Sequence, residues 1–187
     1  AIFNLQQKVI ISNQHLSHAK VGGLGGTISD FAERYPEFAN IDNFSYRPNA
    51  NFTKKQPYSS FSTVGATVYA FVKDDAVNAP LDYLFVDEAS QVALANLIAV
   101  TPSTKNIVLM GDQMQLEQTV QGAHPGIAKK SALEHLLQER KVIPDNKGIF
   151  LDKTYRMHPS VCKPISDLVY ESKLYSDSQT ALQSIVF

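Results

Sequence analysis

The sequence predicts an α/β chain built on a doubly wound parallel sheet. Two observations carry that expectation. Short apolar runs alternate with helix-spaced segments along the 187 residues, and those runs are continuous, as in strands covered on both faces. Polar residues then stand at the ends of the runs, which is where open parallel sheets bind ligands.

Taken in order, the expected strands are residues 8–12 (KVIIS), 63–71 (TVGATVYAF), 83–87 (YLFVD), 106–111 (NIVLMG) and 148–152 (GIFLD). Residues 90–100 (SQVALANLIAV) have helical spacing and stop before Pro102. Residues 131–140 (SALEHLLQER) open on a Ser cap with Glu134 three positions on, the pattern of a capping box. A further helix is expected over 159–173, with Pro159 in its first turn. Residues 35–62, rich in Asn, Pro, Ser and Tyr, read as a long loop or irregular insertion.

Composition narrows the function classes. Seventeen Lys and Arg against eighteen Asp and Glu leave a formal charge of −1, so any nucleic-acid contact must be local. Cys162 is the single cysteine, which argues against a disulfide scaffold and for a reducing, cytoplasmic setting. Apolar runs stay short of the roughly 18 residues that span a bilayer, and the opening AIFNLQQ lacks the pattern of a secretory signal, resembling instead the last turns of a helix. The stretch 21–29 (VGGLGGTIS) fits neither phosphate-binding glycine pattern: no Lys follows Gly26, and Ile28 stands where G-x-G-x-x-G needs its last glycine. It reads as a flexible turn, and a Rossmann-type dehydrogenase is disfavoured with it.

The rim of strand ends collects Ser12, Asn13, Thr67, Asp87, Glu88, Gly111 and Asp112. Asp87 and Glu88 are adjacent like charges behind an apolar run, an arrangement suited to holding a cation and taking up a proton. Its bland counterpart is an acidic helix start, favoured by the macrodipole. In residues 111–118 (GDQMQLEQ), Gln115 can offer an amide to a phosphate oxygen, and in residues 155–159 (YRMHP), Arg156 suits bidentate phosphate contact. His158 reads as structural, and the other histidines lack metal-ligand spacing.

DEASQ (87–91), GDQMQL (111–116) and TYRMHP (154–159) resemble, in order and spacing, motifs II, III and IV of superfamily 1 helicases, in the branch that holds nonsense-mediated-decay and Okazaki-fragment helicases. The runs at 121–137 and 148–174 are closer still to bacterial helicases fused to a RecB-like nuclease. VIISNQH resembles motif Ia, and VGATVYAF the next nucleic-acid-contacting motif.

The resemblance implies a RecA-like P-loop NTPase core. It also implies ATP and Mg²⁺ as cofactors, with Asp87 on the metal, Glu88 as catalytic base, Gln115 at the γ-phosphate and Arg156 reaching the same phosphate from a second RecA-like domain. Ser12, Asn13 and Thr67 would touch single-stranded nucleic acid, DNA ahead of RNA. The core would be incomplete, since the P-loop would lie ahead of Ala1. Residues 1–145 would be part of the first RecA-like domain and 146–187 the start of the second. The expected parent is an ATP-dependent helicase or translocase, with no membrane association and with room for a fused nuclease domain; this stretch alone would be inactive. The alternative is a non-catalytic nucleic-acid-binding or regulatory module with a degenerate RecA-like fold. LEQ at 116–118 and Thr154 depart from the family pattern, at positions that bear on hinge geometry.

Overall fold

In the computed structural model, residues 8, 12, 16–22, 27–39, 44–48, 58–115 and 126–184 are described. They form a mixed α/β structure whose strands assemble into three small sheets, and every strand pair is parallel.

The first sheet has β1 (His18–Val21) at its centre, flanked by β2 (Phe44–Arg47) and β3 (Thr63–Gly65). Between β1 and β2 run α1 (Ile28–Arg34) and α2 (Pro36–Ala39). Gly22, at φ +59, turns the chain out of β1; of the turn expected over 21–29, residues 23–26 lie outside the described residues and Ile28 and Ser29 are already helical. Helix α1 starts on a complete capping box: the Thr27 hydroxyl accepts from Asp30 N at 3.2 Å, and Thr27 N donates to the Asp30 carboxylate at 2.7 Å. The Thr27 amide holds the Asp30 carboxyl below its ordinary pKa. Phe31 stacks on Tyr46 with ring centroids 4.2 Å apart, and Phe38 meets Phe44 at 5.2 Å. This aromatic cluster explains β2, which replaces part of the loop expected over 35–62.

Two corrections concern strands. Lys8 and Ser12, the described residues of the strand expected over 8–12, are helical, and the first strand among the described residues begins at His18. His18 is fully buried, and burial lowers its pKa, so it enters the sheet as a neutral ring. The strand expected over 63–71 is confined to β3, because the chain turns into a 3₁₀ segment at Val68–Ala70. Tyr58, fully buried, locks that turn by donating to Ala70 O at 2.6 Å.

After α3 (Asp74–Asn78), β4 (Leu81–Val86) and β5 (Thr104–Leu109) pair in register Leu84↔Ile107, with α4 (Leu94–Val100) between them in sequence. Val21, Tyr58, Phe71, Leu84, Leu97, Val100 and Ala132 share one core, which joins the first two sheets by packing. Tyr83 and Phe85, on the opposite face of β4, are exposed, so the described residues cover that strand on one face only. α5 (Ala132–Leu137) is capped by Ser131 as expected, while Glu134 pairs with Lys130 at 3.2 Å.

The strand expected over 148–152 does not form. Ile149 and Leu151 are 85% and 80% exposed in an unpaired stretch, and strand structure appears only at β6 (Lys153–Thr154), paired with β7 (Tyr175–Ser176). Between these strands α6 (Pro159–Val169) makes the crossover. No described helix is long and apolar enough to cross a membrane.

Candidate active site

Because β4 and β5 are parallel, their carboxyl ends lie side by side. The chain continues the pairing past both strands: Met110 N donates to Val86 O at 2.9 Å, and Ala89 N donates to Met110 O at 2.8 Å. The acidic turn is thereby clamped to the start of the GDQMQ loop. Gly111 makes the clamp possible. A Cβ at this position would lie 2.8 Å from Ala89 N, 3.0 Å from Leu133 Cδ1 and 3.1 Å from Ser90 N. Gly111→Ala is accordingly expected to lower stability by about 1–3 kcal/mol, through strain at main-chain atoms that cannot rotate away. Urea unfolding checks this; an unchanged midpoint would show that the clamp yields freely.

Asp87 is half-buried, and its Oδ1 accepts from Glu88 N at 3.1 Å. Glu88 adopts a left-handed backbone, φ 52 and ψ 45, which non-glycine residues hold only where the surroundings enforce it. The Ala89 clamp supplies that enforcement. Its consequence is that Glu88 remains exposed while Ala89 and Ser90, immediately after it, are buried in a 3₁₀ turn.

Asp112 organises the second loop. Its Oδ1 accepts from Met114 N at 2.9 Å, and its Oδ2 accepts from Gln115 Nε2 at 3.4 Å and from the Tyr170 hydroxyl. Burial, reinforced by this bond to the Asp112 carboxylate, raises the Tyr170 pKa, so the phenol stays neutral and donates. Two buried side-chain oxygens, Ser90 Oγ and Gln113 Oε1, have no hydrogen-bond partner among the described residues. Buried polar atoms are ordinarily satisfied, so these two stand out.

The turn therefore offers oxygen donors, the carboxylates of Asp87 and Glu88. Such a set fits Mg²⁺, which is typically held by one or two carboxylates, waters and substrate phosphates. The described residues contain no group of three His, Cys, Asp or Glu that could hold a metal by themselves.

The structure brings Asp87, Glu88 and the Gln115 loop to one rim. Arg156 is exposed on the turn after β6, where its amide donates to Thr154 Oγ1 at 3.2 Å; among the described residues no hydrogen bond or ion pair joins its side chain to the carboxylates. Thr67 is exposed at the head of the 3₁₀ turn after β3, and its carbonyl accepts from Ala70 N at 3.0 Å. Ser12 is exposed and helical, and Asn13 lies outside the described residues.

Sequence reasoning missed Tyr69, 69% exposed beside Thr67, and Tyr170. An aromatic in an apolar run reads as core, and nothing in the sequence pairs Tyr170 with Asp112.

No family model matches the chain. The mouse 5′-3′ DNA helicase ZGRF1 is 33% identical over 91 residues, 48% of this chain and 5% of its own length. The DNA polymerase alpha-associated DNA helicase A of Schizosaccharomyces pombe is 30% identical over 144 residues, 76% of this chain and 21% of its own length. The chicken DNA replication ATP-dependent helicase/nuclease DNA2 is 31% identical over 124 residues, 66% of this chain and 12% of its own length. The chain thus spans about a fifth or less of each relative. Its similarity to them is distant and partial, and it marks these residues as a helicase-related region.

Proposed function

We propose that this chain is part of the ATP-hydrolysing motor of a superfamily 1 helicase that moves on single-stranded nucleic acid, DNA ahead of RNA. The observation that carries this reading is the clamped carboxylate turn, which holds Asp87 and Glu88 beside the Gln115 loop at the ends of two parallel strands. Asp87 would hold Mg²⁺, which neutralises charge on the transferring phosphoryl group. Glu88 accepts a proton from the attacking water, and Gln115 donates its amide to the terminal phosphate. Arg156 contacts that phosphate from the segment beginning near residue 146, taken as the start of a second RecA-like domain, with residues 1–145 belonging to the first. The sequence carries no G-x-x-x-x-G-K-[ST] run, so these 187 residues alone are not expected to turn over ATP.

Thr67 and the exposed Tyr69 sit together after β3 and suit a nucleic-acid strand, Thr67 at the backbone and Tyr69 under a base. The test is ATP hydrolysis by the full-length protein, titrated with single-stranded DNA and RNA. Tyr69→Ala is expected to raise the half-stimulating DNA concentration by about tenfold with the maximal rate retained, the scale of one lost stacking contact. Binding of single strands without any hydrolysis would instead favour the non-catalytic module.

A further inference from the structure

We propose that Tyr170 is a positioning residue that ties the Gln115 loop to the unit carrying Arg156, so that both phosphate-facing side chains move as one. This rests on the nucleotide-site reading given above.

Tyr170 closes α6, and Arg156 stands just ahead of the same helix. The β6–α6–β7 unit thus carries Arg156 near its beginning and, at the far end of its helix, the phenol that reaches Asp112 across 58 residues. Several independent contacts aim that phenol. Tyr170 N donates to Ser166 O at 2.9 Å, Ser172 N donates to the same carbonyl at 2.9 Å, and Leu174 N donates to the buried Ser166 hydroxyl at 3.0 Å. Phe150 meets the ring at 6.2 Å between centroids. Glu171 and Ser172 both hold positive φ, 55 and 58, a strained pair that persists only where surrounding contacts fix the chain. The end of α6 is therefore a rigid mount.

On the other side, Asp112 fixes the loop through Met114 N and shares Oδ2 between Tyr170 and Gln115. The Gln115 contact is the long one, at 3.4 Å. With Tyr170 occupying the same oxygen, Asp112 stays satisfied when the Gln115 amide turns to another acceptor. Tyr170 thereby holds the loop while leaving Gln115 free to exchange partners. The neutral phenol suits this task, because a phenolate would repel the carboxylate.

Tyr170→Phe in the full-length protein keeps the ring and removes the hydroxyl. DNA-stimulated kcat is expected to fall about tenfold, while KM for ATP and the melting temperature stay near the parent values, the signature of an interaction needed in the transition state alone. Asp112→Asn should lower kcat similarly, and the double variant should be no worse than Asp112→Asn alone. Parent-like turnover in Tyr170→Phe, additive losses in the double variant, or a fall in kcat accompanied by a lower melting temperature and a raised KM would each overturn the proposal. Gln115→Ala separates the two levels. If it impairs hydrolysis while Tyr170→Phe does not, the positioning role fails and the nucleotide site stands; if Gln115→Ala is fully active, both fail.

Discussion

Glu88→Gln in the full-length protein is expected to abolish ATP turnover and leave nucleotide binding nearly intact. The amide matches the carboxylate in size but cannot accept the proton of an attacking water, a loss of about 10²–10⁴-fold for a general base. The backbone gives this comparison unusual clarity. Glu88 is exposed and left-handed at φ 52, and its shape is set by the bond from Ala89 N to Met110 O, which the substitution does not touch. Folding should therefore be unaltered, and removing one charge beside Asp87 relieves repulsion toward a triphosphate, so nucleotide can bind slightly tighter. Steady-state hydrolysis and fluorescent-nucleotide binding, run on both proteins, decide the matter. Hydrolysis within about tenfold of the parent would remove Glu88 from the role of base and return the acidic turn to a helix-start reading.

Arg156→Ala should lower kcat far more than it raises KM for ATP. Arginines that neutralise a transferring phosphoryl group are worth on the order of 10³–10⁵ in rate. In the structure the side chain is exposed and, among the described residues, makes no ion pair, so its loss should change stability by less than about 0.5 kcal/mol. A kcat effect of that size would put the Arg156 guanidinium on the phosphate as its charge is transferred. A raised KM with kcat unchanged would assign Arg156 to ground-state binding instead.

The parts of the fold legible in the sequence are those whose signal is local. β4 and β5 fall within two residues of the apolar runs at 83–87 and 106–111, and Ser131 caps α5 as its spacing indicated. What failed depends on distant partners. Ile149 and Leu151 alternate like a strand, but among the described residues no neighbour pairs with them. Phe44 and Tyr46 sit in a stretch with loop composition and become a strand because Phe31 and Phe38 provide aromatic surface for them. The same division holds at the site. Asp87, Glu88 and Gln115 are readable as polar groups after apolar runs, whereas the left-handed turn at Glu88 needs Met110, and the Asp112–Tyr170 bond needs a helix 58 residues away.

Gly111 has an evolutionary corollary. Two of its three closest contacts are to the main-chain nitrogens of Ala89 and Ser90, atoms that every possible residue at 89 and 90 would share, Pro included. Trimming Leu133 could relieve the third contact, but no exchange at 89 or 90 can relieve the other two. Position 111 is thus closed to compensatory substitution from its neighbours in the acidic turn. A lineage that loses this glycine can recover only by reverting or by giving up the clamp that shapes Glu88.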